Sequence, residues 1–178
     1  LVEWAVELAS QCDLDSMLDL GTGSGAIALA VQQDLPHLSV TASDVSASAL
    51  RVAQENAEDL GLPVEVVESS WFGALAQRRW ALIASNPPYV AANDAHLLDG
   101  DLRFEPNIAL TDQGDGLWSI REIASNAPDH LEAGGWLLIE HGYDQAADVR
   151  SIFELNGFSK VSLRHDLAGR PRVTGGCW

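Results

Sequence analysis

The segment Asp19-Leu20-Gly21-Thr22-Gly23-Ser24-Gly25 is the most informative part of this 178-residue chain for its fold. It follows a short apolar run over residues 16–20 and precedes a helical pattern over residues 26–34, so it lies at a turn from a buried strand into a helix. Glycines at alternate positions let the backbone turn tightly and let a ligand approach it closely. The first free amides of the helix should face that ligand. The segment therefore predicts a ligand-binding turn.

The alternation of strands and helices continues along the chain and predicts an α/β, Rossmann-like fold. Alternating elements imply a mostly parallel sheet with helices on both faces. The loop 164–171 between the last two strands is too short for a crossover helix, so that pair should be antiparallel. We therefore expect seven strands, one of them antiparallel near the C-terminus. The predicted strands are 16–20, 37–42, 64–67, 80–84, 135–140, 159–163 and 172–174; the predicted helices are 1–11, 26–34, 47–60, 117–131 and 144–156; residues 90–115 read as a long polar loop. Ser46 is expected to cap the third helix, and Gly61 is expected to end it.

The charge of the chain argues against direct contact with nucleic acid. Its net charge is −16, and Lys160 is its single lysine. A nucleic-acid surface needs lysine and arginine to neutralise phosphates. An acidic surface either attracts a basic protein partner or serves solubility. We therefore expect no direct nucleic-acid partner, and we expect a monomer.

The cysteines and the apolar pattern bear on compartment and metal content. Cys12 and Cys177 lie far apart in sequence, which indicates unpaired thiols in a reducing compartment. No histidine or cysteine pattern matches a metal site, so we expect no metal. No apolar run of 18 residues occurs, and residues 1–7 lack the features of a signal peptide, so we expect no membrane association and a cytoplasmic location.

The pairing of the glycine-rich turn with Asp44 indicates a nucleoside cofactor. Asp44 follows the second predicted strand, where a carboxylate can accept hydrogen bonds from both ribose hydroxyls. That role suits NAD as well as S-adenosylmethionine, and the alternative for Asp44 is a helix-capping acid. The GxGxG spacing, with Asp19 two residues before Gly21 and no phosphate-binding lysine, favours S-adenosylmethionine. A turn that binds no ligand is the alternative for the whole segment.

The motif Asn86-Pro87-Pro88-Tyr89 indicates the chemistry. Two prolines stiffen the backbone and remove two N–H donors, so carbonyls and the Asn86 amide converge as acceptors. Amide and aromatic amino nitrogens are poor nucleophiles because their lone pair is delocalised. The Asn86 side-chain oxygen and the Pro87 carbonyl can hold both N–H bonds and orient that lone pair, while Tyr89 stacks on the planar group. A rigid proline turn without chemistry is the alternative.

Further motifs after Tyr89 narrow the interpretation. Phe104-Glu105-Pro106, Ala109-Leu110 and Gly114-Asp115-Gly116-Leu117 follow the Asn-Pro-Pro-Tyr motif. With them the chain resembles the release-factor glutamine methyltransferase family (HemK/PrmC-like) of class I S-adenosylmethionine-dependent methyltransferases. The glycine-rich turn is common to many methyltransferases, and the Asn-Pro-Pro-Tyr motif also occurs in DNA and RNA amino-methyltransferases. The combination of these motifs is typical of a much narrower group of methyltransferases than either motif alone.

The resemblance implies a function and a set of site residues. It implies methyl transfer from S-adenosylmethionine to the glutamine amide nitrogen in the Gly-Gly-Gln motif of peptide-chain release factors. It also implies that residues 1–178 are a catalytic domain, lacking the helical substrate-docking domain that the family usually carries before it. The expected catalytic residues are Asn86, Pro87 and Tyr89; the expected cofactor-binding residues are Asp19, Gly21, Thr22, Gly23, Gly25, Asp44, Val45, Trp71 and Asn86; the expected substrate-binding residues are Asn86, Pro87, Pro88, Tyr89 and Glu105.

Several points stay open at the level of sequence. Trp71 either flanks the adenine or is a core aromatic residue, and Glu105 either contacts the substrate or braces its loop. Glu140 ends the fifth predicted strand without an assigned role. Ser70 stands where the family often has an acid, which puts one adenine or ribose contact in doubt. The alternative functions are methylation of an exocyclic amine of adenine or guanine in DNA or RNA, and a binding module without chemistry.

Overall fold

A computed structural model describes residues 1–89 and 115–178. Within them the elements alternate as the sequence predicts. The helices are α1 (Val2–Gln11), α2 (Ala26–Asp34), α3 (Ala47–Leu60), α4 (Trp118–His130) and α5 (Ala146–Leu155); the strands are β1 (Ser16–Leu20), β2 (Ser39–Asp44), β3 (Glu65–Glu68), β4 (Trp80–Ser85), β5 (Leu131–Glu140), β6 (Ser159–His165) and β7 (Pro171–Cys177).

The seven strands form one sheet in the order β3-β2-β1-β4-β5-β7-β6. Strands β1 to β5 pair in parallel, and β7 runs antiparallel to both of its neighbours, β5 and β6. The prediction of one reversed strand near the C-terminus is therefore confirmed. The chain moves outward from β1 to β3 and then returns to place β4 on the other side of β1. Such a switch point opens a ligand crevice at the carboxyl ends of the strands.

Helices cover both faces of the sheet, and each face has its own apolar core. Residues of α1 and α2 pack on one face and residues of α4 and α5 on the other. Strand β5 supplies both, because successive side chains point to opposite faces: Leu137 and Ile139 join the α4–α5 core, whereas Leu138 joins the α1–α2 core. The central strands are consequently buried on both sides, as parallel strands between helices must be.

Local signals place both ends of α3 correctly. The Ser46 hydroxyl accepts a hydrogen bond from the Ala49 amide at the start of α3, and Gly61 ends that helix in the left-handed conformation. The boundary between α4 and β5 was predicted less well. Leu131, expected to end the helix, begins a strand that starts four residues before Gly135, because Leu131 pairs with Trp80 ahead of an irregularity in the β4–β5 register.

Candidate functional site

Four of the residues singled out in the sequence lie at the end of, or directly after, neighbouring strands at the same edge of the sheet. Leu20, the last residue of β1, pairs with Ser43 of β2 and with Ser85 of β4, and Ser85 pairs in turn with Ile139 of β5. The residues that come next therefore lie level with one another along this edge. They are Asp44, Gly21, Asn86 and Glu140, in spatial order.

Strand β2 braces the glycine-rich turn through backbone hydrogen bonds. The amides of Gly21 and Thr22 both donate to the Ser43 carbonyl, at 2.8 and 2.9 Å, and the Gly25 amide donates to the Thr22 carbonyl at 3.0 Å. The Gly23 amide donates to Asp44 Oδ2 at 2.9 Å. These four amides of the turn are thus engaged inside the protein. At its three glycines the turn offers backbone without side chains, fixed in place by its neighbours.

Asp19 is a fully buried carboxyl group under the turn. Its Oδ2 atom accepts hydrogen bonds from the Thr22 hydroxyl at 2.5 Å and from the Ala28 amide at 3.0 Å. Desolvation raises the pKa of Asp19 to about 6, although the two hydrogen bonds oppose the shift. Its Oδ1 atom has no hydrogen-bond partner among the described residues. Asp19 therefore ties β1 to the start of α2 and keeps one acceptor unused.

Asp44 does not cap helix α3, since the Ser46 side chain does so. Its Oδ1 atom accepts from the Ser46 amide at 2.8 Å, while Oδ2 accepts from Gly23. Each carboxylate oxygen has a further lone pair, so the half-buried carboxylate can accept additional hydrogen bonds. The next residue, Val45, is 58% exposed, which leaves its side chain open to a ligand or to solvent.

Trp71 lies against both the turn and the core. A Cβ atom built on Gly21 would lie 3.6 Å from Trp71 Cζ3, and the half-buried Trp71 ring also packs against the α4–α5 core. Its backbone has a φ of +45°, which is unusual for a non-glycine residue. The Ser69 hydroxyl supports that conformation by donating to the Trp71 carbonyl at 2.6 Å. Ser70, which replaces the acid frequent in the family, is exposed.

The Asn-Pro-Pro-Tyr motif begins where β4 ends, and it is anchored on both sides. Before the motif, the buried Ser85 hydroxyl donates to the Leu20 carbonyl of β1 at 2.6 Å. At its end, the Tyr89 carbonyl accepts from Gln145 Nε2 at 3.0 Å. Asn86 is exposed and Pro87 is buried. The half-buried Tyr89 packs against the α4–α5 core. Pro88 is also half-buried.

A cavity of about 410 Å³ opens beside Tyr89 on the side away from the glycine-rich turn. Glu140 lines it, as do residues from the start of α1 and from the β6–β7 hairpin. Two arginines on its wall are already paired, Arg164 with Glu7 at 2.9 Å and Arg172 with Asp166 at 3.4 Å. The cavity thus extends the edge of the sheet beyond the Asn-Pro-Pro-Tyr motif, towards the first helix.

Part of the predicted site lies outside the described residues. Glu105 falls there, as do Phe104, Pro106, Ala109, Leu110 and Gly114. For the described residues, no group of three or more histidine, cysteine or acidic side chains is placed to hold a metal ion. The same ranges contain no helix with the length and apolarity needed to cross a membrane.

Three side chains at this edge were not singled out in the sequence. Ser69 holds Trp71, Ser85 ties the motif to β1, and Gln145 holds Tyr89. Each acts through a contact between segments that are distant in the chain or through a backbone atom. Ser85, immediately before the motif, is the one that a closer look at the residues flanking Asn86 would have found.

Comparison with known proteins identifies relatives of the whole described fold. A family model described as "Methyltransferase small domain" matches residues 6–103. A release factor glutamine methyltransferase of Neisseria gonorrhoeae is 54% identical over 158 residues, which is 88% of this chain and 58% of the relative. A release factor glutamine methyltransferase of Bordetella pertussis is 50% identical over 177 residues, 99% of this chain and 66% of the relative. The chain therefore spans about 60% of the length of these curated relatives.

Solved structures share the fold at much lower sequence identity. The 16S rRNA N2 G1207 methyltransferase of T. thermophilus, determined in complex with AdoMet and guanosine, superposes on this chain with a TM-score of 0.65 at 17% sequence identity. That match covers 99% of this chain and 42% of the other. The Rossmann-like methyltransferase fold is thereby confirmed. The resemblance drawn from the sequence motifs is confirmed by the curated relatives. The chain belongs to the methyltransferase small domain family, and its curated relatives are release factor glutamine methyltransferases.

Proposed function

We propose that this chain transfers a methyl group from S-adenosylmethionine to the side-chain amide nitrogen of the glutamine in the Gly-Gly-Gln motif of peptide-chain release factors. The observation that carries the proposal is the register of β1, β2 and β4, which sets Asn86 level with Gly21 and Asp44. A motif suited to hold an NH₂ group thus lies beside a turn suited to hold a nucleoside. The names of the curated relatives support a glutamine of a release factor as the methyl acceptor.

The residues around the turn fit S-adenosylmethionine. Gly21, Gly23 and Gly25 have positive φ values, and Gly23 has open space where a Cβ atom would lie. Asp44 supplies acceptors for the ribose hydroxyls, and Trp71 and Val45 supply apolar surface for the adenine. The unused Oδ1 of Asp19 is an orphaned acceptor beneath the turn. Asp19, Thr22 and Asn86 complete the proposed set. The bound cofactor supplies a methyl group activated by a sulfonium.

The Asn-Pro-Pro-Tyr motif prepares the amide nitrogen of the substrate. The Asn86 side-chain oxygen and the Pro87 carbonyl accept its two N–H bonds, which fixes the amide plane and directs the nitrogen lone pair towards the cofactor. The same acceptors stabilise positive charge on that nitrogen as the new N–C bond forms. Tyr89 and Pro88 provide a surface against the planar amide.

Proton removal needs no dedicated base in this scheme. A methylated amide nitrogen that still carries both protons is cationic and strongly acidic, so water can accept a proton from it. Glu140 lies level with Asn86 but receives no role as a base. Glu105 is proposed to contact the backbone of the substrate. The chain is further proposed to act as a cytoplasmic monomer that uses no metal ion.

The test is transfer of a labelled methyl group from S-adenosylmethionine to a release factor and to its variant with the Gly-Gly-Gln glutamine replaced by alanine. We expect label in the first and none in the second. Equal labelling of both would refute the assignment. Labelling of RNA or DNA without labelling of release factors would replace it with methylation of an exocyclic amine of adenine or guanine.

The role of Asn86 is tested in the same assay. Asn86→Ala removes one acceptor of the NH₂ group, and loss of one such preorganised contact lowers turnover by a factor on the order of 10²–10³. Cofactor affinity, measured by calorimetry, should change far less, because Asn86 is one member of the cofactor-binding set and the rest of that set, including the turn and Asp44, is untouched. Asn126→Ala is the control, since Asn126 lies on α4 and donates to the Glu122 carbonyl. Turnover of Asn86→Ala equal to that of the control removes the proposed role.

A further inference from the structure

The side chain of Gln145 joins three separate parts of the backbone. Its Oε1 atom accepts from the Gly142 amide at 2.8 Å. Its Nε2 atom donates to the Tyr89 carbonyl at 3.0 Å and to the Gly116 carbonyl at 3.1 Å. The two carbonyl oxygens therefore lie within two hydrogen-bond lengths of each other. One amide thus connects the end of the Asn-Pro-Pro-Tyr motif, the segment before α4 and the segment after β5.

These contacts use the whole hydrogen-bonding capacity of the Nε2 group. A side-chain amide has two N–H donors, and here each has one carbonyl acceptor. The orientation of the amide is also fixed by its partners, because a rotated side chain would place its oxygen against two carbonyls and its nitrogen against an N–H. The geometry is accordingly specific for glutamine. A glutamate of the same shape would present an acceptor to both carbonyls.

The backbone segments next to Gln145 hold this residue in place. It is the residue before helix α5, and its own amide donates to the Gly142 carbonyl at 3.0 Å. Gly142 follows the fully buried His141, whose Nε2 atom lies 2.9 Å from Thr174 Oγ1 of β7. A Cβ atom on Gly142 would lie 2.9 Å from Gln145 Oε1, so only glycine leaves the amide room there. The end of β5 and the start of α5 thereby set the position of Gln145.

The Asn-Pro-Pro-Tyr motif depends on the hydrogen bond from Gln145, because two of its four residues are prolines. Pro87 and Pro88 have no N–H groups and so cannot tie the segment to a neighbouring strand. Ser85 fixes the entry to the motif through the Leu20 carbonyl, and Gln145 fixes its exit through the Tyr89 carbonyl. Asn86 and Pro87, whose oxygens are proposed to hold the substrate amide, lie between these two points.

We infer that Gln145 is a positioning residue for methyl transfer, holding the Asn-Pro-Pro-Tyr motif in the geometry that the substrate amide requires. The inference rests on the proposed function and adds to it a residue outside the motifs that define the family resemblance. Gln145 acts through the Tyr89 carbonyl and does not contact the reacting atoms. Its loss should therefore slow turnover without weakening cofactor binding at the glycine-rich turn.

The test compares Gln145→Glu with a matched control on the same helix. Gln145→Glu keeps the shape and replaces both donors with an acceptor. Asn156→Asp is the control, because Asn156 Nδ2 donates to the Ile152 carbonyl at the opposite end of α5, and the change likewise replaces a donor with an acceptor. We expect kcat of Gln145→Glu with a release factor to fall at least tenfold, with the cofactor dissociation constant within twofold of the original. The control should keep its kcat within twofold even where its stability falls.

Two kinetic results would overturn the inference: kcat of Gln145→Glu within twofold of the original, or a cofactor dissociation constant that rises by the same factor as kcat falls.

A second readout, by ¹⁹F spectroscopy, needs no methyl acceptor. The chain has two tyrosines, Tyr89 and Tyr143, so 3-fluorotyrosine gives two ¹⁹F signals, assigned with Tyr143→Phe. The Tyr89 signal should shift or broaden in Gln145→Glu and stay in place in Asn156→Asp; an unmoved signal in both contradicts the inference. If release factors accept no methyl group from the original chain, the proposed function fails and the link of Gln145 to methyl transfer fails with it, while the ¹⁹F signal still decides whether Gln145 positions the Asn-Pro-Pro-Tyr motif.

Discussion

At the scale of single residues, Asp19 shows that a buried carboxyl group can accept hydrogen bonds and still lower the stability of the folded state when it ionises. Its carboxyl group receives hydrogen bonds from Thr22 and Ala28, which favour the charged form. Complete burial disfavours that form more strongly and raises the pKa to about 6 from an ordinary value of 3.8. The folded state therefore binds a proton more tightly than the unfolded state does, and ionisation of Asp19 costs stability.

The pH dependence of stability tests this account. A raised pKa means that stability is lost as pH rises from about 4 through about 6 and then levels off; the full loss corresponds to about 3 kcal/mol. Asp19→Asn removes the titration. The free energy of unfolding of the original chain should therefore fall relative to that of Asp19→Asn between pH 5 and 7.5, as measured by urea denaturation.

Asp166→Asn is the control for that series. The pKa of Asp166 lies below its ordinary value, mainly because its carboxylate accepts a hydrogen bond from the Arg170 amide. A lowered pKa changes stability only below about pH 4, so the difference between this variant and the original chain should be flat from pH 5 to 7.5. A flat difference for Asp19→Asn as well would show that Asp19 is not the buried titrating acid described here.

At the scale of elements, the glycine-rich turn is held between two helices. Gly25, immediately before α2, has a φ of +86°, and a Cβ atom there would lie 3.1 Å from Leu29 Cδ1 and 3.2 Å from Ala53 Cβ of α3. The missing side chain thus lets α3 pack closely against the start of α2. Gly61, after α3, has a similar φ of +65° but has open space around the same position.

Gly25→Ala and Gly61→Ala separate backbone strain from packing. Each places alanine at a positive φ, which costs about 1–2 kcal/mol. Gly25→Ala adds overpacking between α2 and α3, worth about 1–3 kcal/mol more. We expect the larger loss of unfolding free energy for Gly25→Ala, together with weaker binding of S-adenosylmethionine in calorimetry. Equal losses in both variants would mean that α3 yields to the added methyl group and that the close approach has no energetic role.

Much of the fold was predictable because its elements carry local signals. Ser46 and Gly61 mark the ends of α3 by residue type, and the apolar run at 16–20 before glycines marks β1. The register that sets Asn86 beside Gly21 was expected only from the rule that parallel strands end at one edge, because no local pattern encodes it. Gln145 was missed for a related reason: its partners, Tyr89 and Gly116, are distant in sequence, and a glutamine before a helix has many possible roles.

At the scale of the whole molecule, the first helix and the last strand close the sheet together. Gly175 of β7 pairs with Leu138 of β5, and the Trp4 ring of α1 covers this point. A Cβ atom on Gly175 would lie 2.5 Å from Trp4 Cη2 and 2.6 Å from Leu138 Cδ2. Because β7 lies between β5 and β6, the position of α1 is coupled to the antiparallel end of the sheet and, through β5, to the edge that carries Glu140.

Gly175→Ala should therefore destabilise the whole molecule by about 1–3 kcal/mol, since the added methyl group overlaps with a large ring in a packed core. Gly169→Ala is the comparison: Gly169 lies in the β6–β7 loop with a φ of +75° and open space, so its change tests strain alone. The decisive measurement is a double-mutant cycle in urea. In the Trp4→Leu background the cost of Gly175→Ala should shrink by about 1 kcal/mol or more, because the overlapping ring is gone. If Gly175→Ala lowers the free energy of unfolding equally in both backgrounds, Trp4 does not set the packing at Gly175. The proposed coupling between α1 and β7 would then be wrong.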